Sequence, residues 1–336
     1  MRMNSRVWIS LIAMLFLATA CGSDGGDGGG GNDGGGGGGR DAGRDADIPD
    51  ALPDAAPPSG HLLISEVSVR DNNAEFIEIY NPTGVTVELD DYYIADDHEY
   101  YLLPAVLGGH NLLPNFSLTD FIARFPAGST IAAGETAIIA INYSNYKVGF
   151  TLEEFEPQFS LSDTPGDDDT PPAGTLMLDP GQGAPTPVQL LNTDAVPGVD
   201  PLDPNLANNG EAIVLFRWDG VSDLVTDVDM LHAGNPPLQV NRFDSKAGKL
   251  VDGPDADDLK SAYQNEGRII AIPNVPQTGD PVSFHRAAFE VDEVTTGGNG
   301  VDGHDETSED TSQSFPQRFY ASPTPGIIHP GLRRNP

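Results

Sequence analysis

The chain predicts an all-β sandwich. Three observations carry that expectation: short runs of β-branched and apolar residues recur along the chain, turn residues punctuate them, and helical periodicity is nearly absent. His61 to Val69 (HLLISEVSV) and Ala74 to Tyr80 (AEFIEIY) read as a hairpin across the polar group Arg70-Asp71-Asn72-Asn73. Val85 to Leu89 and Tyr92 to Ile94 follow Asn81-Pro82-Thr83-Gly84, whose proline and glycine mark a turn. Thr130 to Ile141 and Glu211 to Trp218 predict further strands, the second running through Asp219-Gly220 into Leu224 to Met230. Arg268 to Ile272 and Val282 to Arg286 are shorter candidates, and Glu153 to Phe159 holds at most a helical turn or two.

Ahead of this region stands an export signal. Arg2 and Arg6 form a positive start, Val7 to Leu17 an apolar run, and Ala18-Thr19-Ala20 a small-residue exit. The run is short for a membrane-spanning helix. Cys21, the single cysteine of the chain, comes next. Ala18-Thr19-Ala20-Cys21 resembles the lipobox of bacterial lipoproteins, although Ala18 stands where that motif more often has Leu. The resemblance implies removal of residues 1–20, fatty acylation of Cys21, including a palmitate-type chain, and anchoring in the bacterial envelope. Because Gly22 rather than Asp follows the cysteine, it points to the outer membrane or cell surface. Cleavage near Ala20 by the ordinary signal peptidase, leaving a free secreted protein with an odd cysteine, is the alternative.

From Gly22 to Ser59 the chain is nearly all Gly, Asp, Ala and Pro, so it lacks the apolar surface to fold and reads as a disordered tether, residues 21–59 of the domain plan. Its length corresponds to roughly 35 Å of average reach. No strand precedes its glycines and no GK[ST] follows, which excludes a phosphate-binding loop. The folded region is expected over residues 60–330, with a short tail at 331–336.

Fifty-one acidic residues against 17 basic ones give a formal charge of -34, and loss of Arg2 and Arg6 with the signal takes it to about -36. Only four lysines are present. A chain this acidic repels phosphate backbones, which argues against nucleic acid as a partner, and attracts cations.

Within the folded region the order of segments resembles the lamin-tail domain, an immunoglobulin-like sandwich of nuclear lamins and of many exported bacterial proteins. Leu63 to Val67 is similar to its first strand and Glu75-Phe76-Ile77-Glu78-Ile79-Tyr80-Asn81-Pro82 to its second. Phe125 to Glu135 is similar to the turn into the next central strand. Asn209 to Phe216 matches a later strand, which in the family precedes a buried Val-Asp pair, here Val228-Asp229. Ser283-Phe284-His285-Arg286 and the closing Ser322-Pro323-Thr324-Pro325-Gly326 complete the series. The resemblance implies an immunoglobulin-like β-sandwich spread over an unusually long chain. The excess falls near residues 103–119, 151–208, 234–264 and 290–317, which are rich in Pro, Asp and Gly and read as loop insertions.

Catalytic motifs are missing: His98-Glu99 lacks the second histidine of HExxH, no G-x-S-x-G occurs, and the seven histidines show no ligand spacing. No organic cofactor is expected. Calcium is the sharper expectation, because carboxylates near Gly and Pro supply the oxygen ligands it takes. The candidate ligands are Asp167, Asp168 and Asp169 in one cluster, Asp252, Asp255 and Asp257 in a second, and Asp302 and Asp305 in a third. Gly297-Gly298-Asn299-Gly300-Val301-Asp302 matches the start of a calcium-binding nonapeptide, but His304 occupies its apolar position, a single copy exists, and the tether matches by accident at Gly36 to Asp41. The competing account makes the acids a solvated coat. Three functions are weighed: a lipid-anchored binding or adhesion module contacting a protein or glycan at the cell surface, a passive or accessory lipoprotein beside a separate exported enzyme, and, third, an exported hydrolase.

Overall fold

A computed structural model of the chain describes residues 60–69, 74–108, 120–150, 156–162, 176–177, 205–206, 211–233, 245–265, 283–289, 297–304, 311–316 and 322–332. The chain divides into two units, Met1–Leu52 and Pro53–Pro336, and the described residues all belong to the second. The signal, the tether, the expected turn at 70–73 and the expected strand at 268–272 lie outside them.

In chain order the strands are β1 (Leu63–Ser68), β2 (Phe76–Tyr80), β3 (Val87–Glu88), β4 (Tyr92–Ala95), β5 (Ile122–Arg124), β6 (Thr130–Ile131) and β7 (Thr136–Asn142). They continue with β8 (Phe159–Ser162), β9 (Leu176–Met177), β10 (Ala212–Arg217), β11 (Thr226–His232), β12 (Leu250–Val251), β13 (Ser261–Ala262) and β14 (Ser283–His285). Short helices α1 (Leu103–Leu107), α2 (Tyr143–Gly149) and α3 (Thr311–Ser314) interrupt them. One sheet has the order β14-β1-β2-β7-β8-β9 and a second the order β11-β10-β4-β5, with β12-β13 and β3-β6 as two small ribbons.

Period-2 side-chain direction, shifted by irregularities in β1 and in the β10-β11 pair, explains the core. Ile64 and Val67 of β1, Ile77 and Ile79 of β2, and Ile139 and Ile141 of β7 meet Ile94 of β4, Ile213 and Leu215 of β10, and Val228 and Leu231 of β11 in one buried cluster between the two sheets. This is an all-β, immunoglobulin-like sandwich. Asn81, fully buried after β2, holds its corner: Nδ2 donates to the carbonyls of Val85, Ile131 and Ala132, while Oδ1 accepts from the Thr83 N–H.

Two of the segments expected as loops contribute packed structure. Leu103 and Ala105 of the first, and Val251 and Tyr263 of 234–264, join Tyr100, Tyr101 and Leu102, which precede the first, over the outer side of the four-stranded sheet, where Tyr93, Val214, Phe216 and Met230 project. Over the outer side of the six-stranded sheet, Tyr146 of α2 packs on Phe76, Ile138 and Ala140. Because both outer faces are covered, β1, β2 and β4 are buried at every position, which hides the alternation that a one-sided sheet would display. Phe159, at the end of the run for which at most a helical turn or two was expected, opens a strand, β8, parallel to β7. Helix α2 is too short to show a helical period, yet it is locally encoded: Asn142 caps it by accepting from the Asn145 N–H at 2.9 Å.

Candidate functional site

Among the calcium candidates, the structure brings Asp252 and Asp255 together with Asp223, a residue outside the expected set, their carboxylate oxygens lying within 4.8 Å of one another. Asp223 was not legible because it is 29 and 32 positions distant from the other two in a chain crowded with aspartates; the β12-β13 ribbon makes the meeting. The Gly253 N–H donates to Asp223 Oδ1 at 2.8 Å and the Ser261 hydroxyl to Oδ2 at 2.6 Å, and these bonds hold the carboxyl below its ordinary range. Asp255 Oδ1 accepts from the Asp257 N–H at 3.0 Å. Asp257 is exposed and stands outside the group, its own Oδ1 accepting from Leu259 N–H. Asp302 is exposed in a 3-10 turn at a φ of 61°. Cys21, Asp167, Asp168, Asp169 and Asp305 lie outside the described residues.

A second assembly joins the two ends of the domain. Glu66 of β1 and Glu78 of β2 are register partners and therefore neighbours on the outer face of the six-stranded sheet. Both are buried, and the closing segment lies over them: the Thr324 N–H donates to Glu66 Oε1 at 2.8 Å and the Gly326 N–H to Glu78 Oε2 at 2.5 Å. Gly326 sits at a φ of 80°, a conformation that glycine adopts without steric cost. Ser65 donates to Glu78 Oε1 at 2.6 Å and Ser283 of β14 to Glu66 Oε1 at 2.6 Å. Burial drives the Glu66 carboxyl up to about 7 against the pull of these donors, with the Glu78 charge adding to the rise. Burial raises Glu78 as well.

Ser283 Oγ also lies 2.8 Å from Nε2 of His285, which places a hydroxyl and an imidazole in contact. That pair is not built as an activated nucleophile. The carboxylate of Glu66 approaches Nε2 at 3.6 Å, the same nitrogen that meets the serine, whereas an orienting acid belongs at Nδ1; Thr324 Oγ1 lies 3.5 Å from Nδ1, and the ring also bonds the Ser322 backbone. Ser283 is fully buried, and burial with the nearby His329 lowers the imidazole to about 4, against the Ser322 backbone, which raises it.

The sheet edge at β11 supplies the third assembly. Its register with β10 slips between Leu215 and Phe216, so Asp227 and Asp229 serve opposite sides. Asp229 Oδ1 meets Arg286 Nη2 at 2.5 Å, its Oδ2 accepts from the Ile64 N–H at 2.5 Å, and both side chains are wholly buried. Asp227 contacts Lys246 and accepts from the Tyr100 hydroxyl at 2.6 Å. Nine acids are buried among the described residues (Glu66, Glu75, Glu78, Asp96, Asp97, Glu211, Asp227, Asp229 and Asp252), so the acidic excess is not wholly a surface coat.

The family model described as Lamin Tail Domain matches residues 55–229, just over half of the chain. The chain belongs to the lamin tail domain family. The match ends at Asp229, yet the later segments Ser283–Arg286 and Ser322–Gly326 are tied to β1 and β2 of the same lamin tail domain by the contacts above. No curated protein matches. A solved structure, that of a DUF4876 family protein from Bacteroides thetaiotaomicron VPI-5482, is similar at 18% identity over 54% of this chain and 56% of that one, with a TM-score of 0.32.

On the surface of this lamin tail domain, a cavity of about 210 Å³ is lined by Asp91, Arg217, Trp218, Asp219 and Ser222 among others. It falls below the roughly 300–1,000 Å³ usual for small-molecule sites. Trp218 is not an open platform there, being buried with its Nε1–H donated to the Ser222 carbonyl at 2.8 Å. Among the described residues, no helix is long and apolar enough to cross a membrane.

Proposed function

We propose that the chain is a lipid-anchored lamin tail domain lipoprotein of the bacterial envelope, a binding or adhesion module without catalysis of its own that meets a protein or glycan at the cell surface. The observation that carries this reading is the use made of the chemistry-bearing side chains. Glu66, Glu78, Ser283 and His285, which bring carboxylate, hydroxyl and imidazole together, are buried under the closing segment and hold it. They serve as architecture, and the domain is left to act through its loops. The sequence supplies the anchor: Cys21 at the exit of an apolar run, then a Gly/Asp-rich spacer that would carry the sandwich clear of the headgroups. An accessory lipoprotein beside a separate exported enzyme is the second reading and an exported hydrolase the third.

Replacing Cys21 by Ser in the producing cell tests the anchor. The protein is expected to move from the membrane fraction to the soluble fraction and to lose protease accessibility on intact cells; persistence in the membrane would reject the reading. Beads coated with the anchored and the soluble forms, presented to isolated envelope and to glycan arrays, then separate a binding module from a passive one, since a passive lipoprotein retains neither.

A further inference from the structure

Lys246, one of only four lysines in the chain, is 2% exposed, and its Nζ rests against Oδ2 of Asp227, itself 1% exposed. The pair is 19 positions apart in sequence and is brought together by separate elements. Asp227 belongs to β11, where its N–H donates to the Asn299 carbonyl. Lys246 lies in the turn before β12, closed by the Lys249 N–H donating to the Lys246 carbonyl at 2.9 Å and held to the neighbouring segment by the Gly248 N–H donating to the Tyr263 carbonyl at 3.0 Å. Two rings enclose the amine, with Nζ 5.7 Å from the centroid of Tyr100 and 5.2 Å from that of Tyr263. Tyr263 is itself fixed, its hydroxyl donating to the Tyr101 carbonyl at 2.8 Å and accepting from the Val225 N–H at 3.0 Å. The Tyr100 hydroxyl donates to Asp227 Oδ1, while Lys246 meets Oδ2.

A buried ion pair among aromatic rings is poorly solvated, and moving one proton from ammonium to carboxylate turns it into a neutral amine beside a neutral acid. The neutral amine is a nucleophile. A carboxyl whose oxygen already accepts from a fixed phenol is a polarised electrophile, with its developing negative charge met in advance. Holding both in one water-poor site supplies the proximity that the same groups lack in solution.

We propose that Lys246 and Asp227 join in an intramolecular isopeptide bond. The Lys246 ammonium passes one proton to Asp227 Oδ2, and the amine lone pair attacks Cγ, forming the Nζ–Cγ bond. Charge builds on Oδ1, where the Tyr100 hydroxyl meets it. A second proton moves from nitrogen to Oδ2, the Cγ–Oδ2 bond breaks, and Oδ2 leaves as water with both protons, while the third stays on the amide nitrogen. No oxidant or reductant takes part. The product ties β11 to the turn before β12 by a covalent bond, in a chain whose single cysteine leaves no pair for a disulfide.

The test is tandem mass spectrometry on the full chain, purified folded, denatured and digested with trypsin. Expected are resistance to cleavage after Lys246 and fragment ions that place a deficit of one water between Lys246 Nζ and the Asp227 carboxyl. Cleavage after Lys246 with Asp227 at full mass would make the pair an ordinary ion pair and overturn the proposal. A one-water deficit on Asp227 with Lys246 still cleaved, the mark of a cyclic imide, would overturn it as well. Tyr100→Phe keeps the ring and removes the donor, so bond formation followed over time should slow by roughly 100-fold; an unchanged rate would overturn the role given to Tyr100.

Discussion

Replacing Glu66 by Gln should change how stability depends on pH. The amide keeps an acceptor for Ser283 and for the Thr324 N–H and places a donor beside the Thr324 hydroxyl, so the closing segment retains its contacts. In the folded chain Glu66 titrates at about 7 against an ordinary 4.5, so the folded state keeps a proton that the unfolded state has released between those values. Its contribution to stability is full below about pH 4.5 and is lost as pH rises to about 7. His285 has the opposite sign: its folded value of about 4 lies below the ordinary 6.5, so its contribution is full above about 6.5 and is lost as pH falls toward 4. Each gap is worth roughly 3 kcal/mol at about 1.4 kcal/mol per pH unit. Between about pH 4.5 and 6.5 the two oppose each other in the native protein. E66Q removes one of them, so its stability relative to the native protein should grow by roughly 3 kcal/mol from pH 4.5 to 7. Glu78, raised in the same direction as Glu66, is present in both proteins and leaves this difference unchanged to first order. Urea unfolding at half-unit steps of pH, read by the fluorescence of buried Trp218, measures it. A difference that stays constant from pH 4.5 to 7 would refute the raised carboxyl.

Further outcomes are open to the same assays. Arg286→Ala leaves the wholly buried Asp229 without its guanidinium partner and should cost about 3–5 kcal/mol in urea unfolding. Gly253→Ala would place a Cβ 2.7 Å from the Ser222 carbonyl oxygen and 2.9 Å from that of Val221, so the backbone must shift, at about 1–3 kcal/mol in the same measurement. For the Asp223, Asp252 and Asp255 group, both Asp223 oxygens accept from protein donors, and the midpoint of thermal unfolding should therefore be equal in millimolar calcium and in chelator. A rise with calcium that disappears in Asp252→Asn would make the group a metal site.

Legibility followed the range of the interactions. The hairpin strands β1 and β2 and the β10-β11 pair are local patterns of β-branched residues bounded by turn residues, and each formed within a residue or two of expectation, whereas the run Thr130 to Ile141, expected as a strand, divides into β6 and β7 at a turn where Gly134 sits at a φ of 78°. Strands β5, β8, β9, β12 and β13 carry only two to four residues apiece and were not expected; their pairing depends on what the sandwich offers as a neighbour. The insertions were read from Pro, Asp and Gly content, which marks irregular backbone but says nothing about burial, and Leu103, Ala105, Val251 and Tyr263 pack over the four-stranded sheet all the same.

The sequence by itself determined the all-β class, the family, the positions of the main strands and the place of Cys21, since each of these is a property of consecutive residues. Only the tertiary structure decided what the acids do. Glu66 and Glu78 stand 12 positions apart and receive the closing segment some 250 positions later; Asp227 and Asp229 are two positions apart and serve opposite sides of a sheet because of one bulge. Composition counts charges, whereas desolvation and partners set their energies, and both are created only when the strands come together.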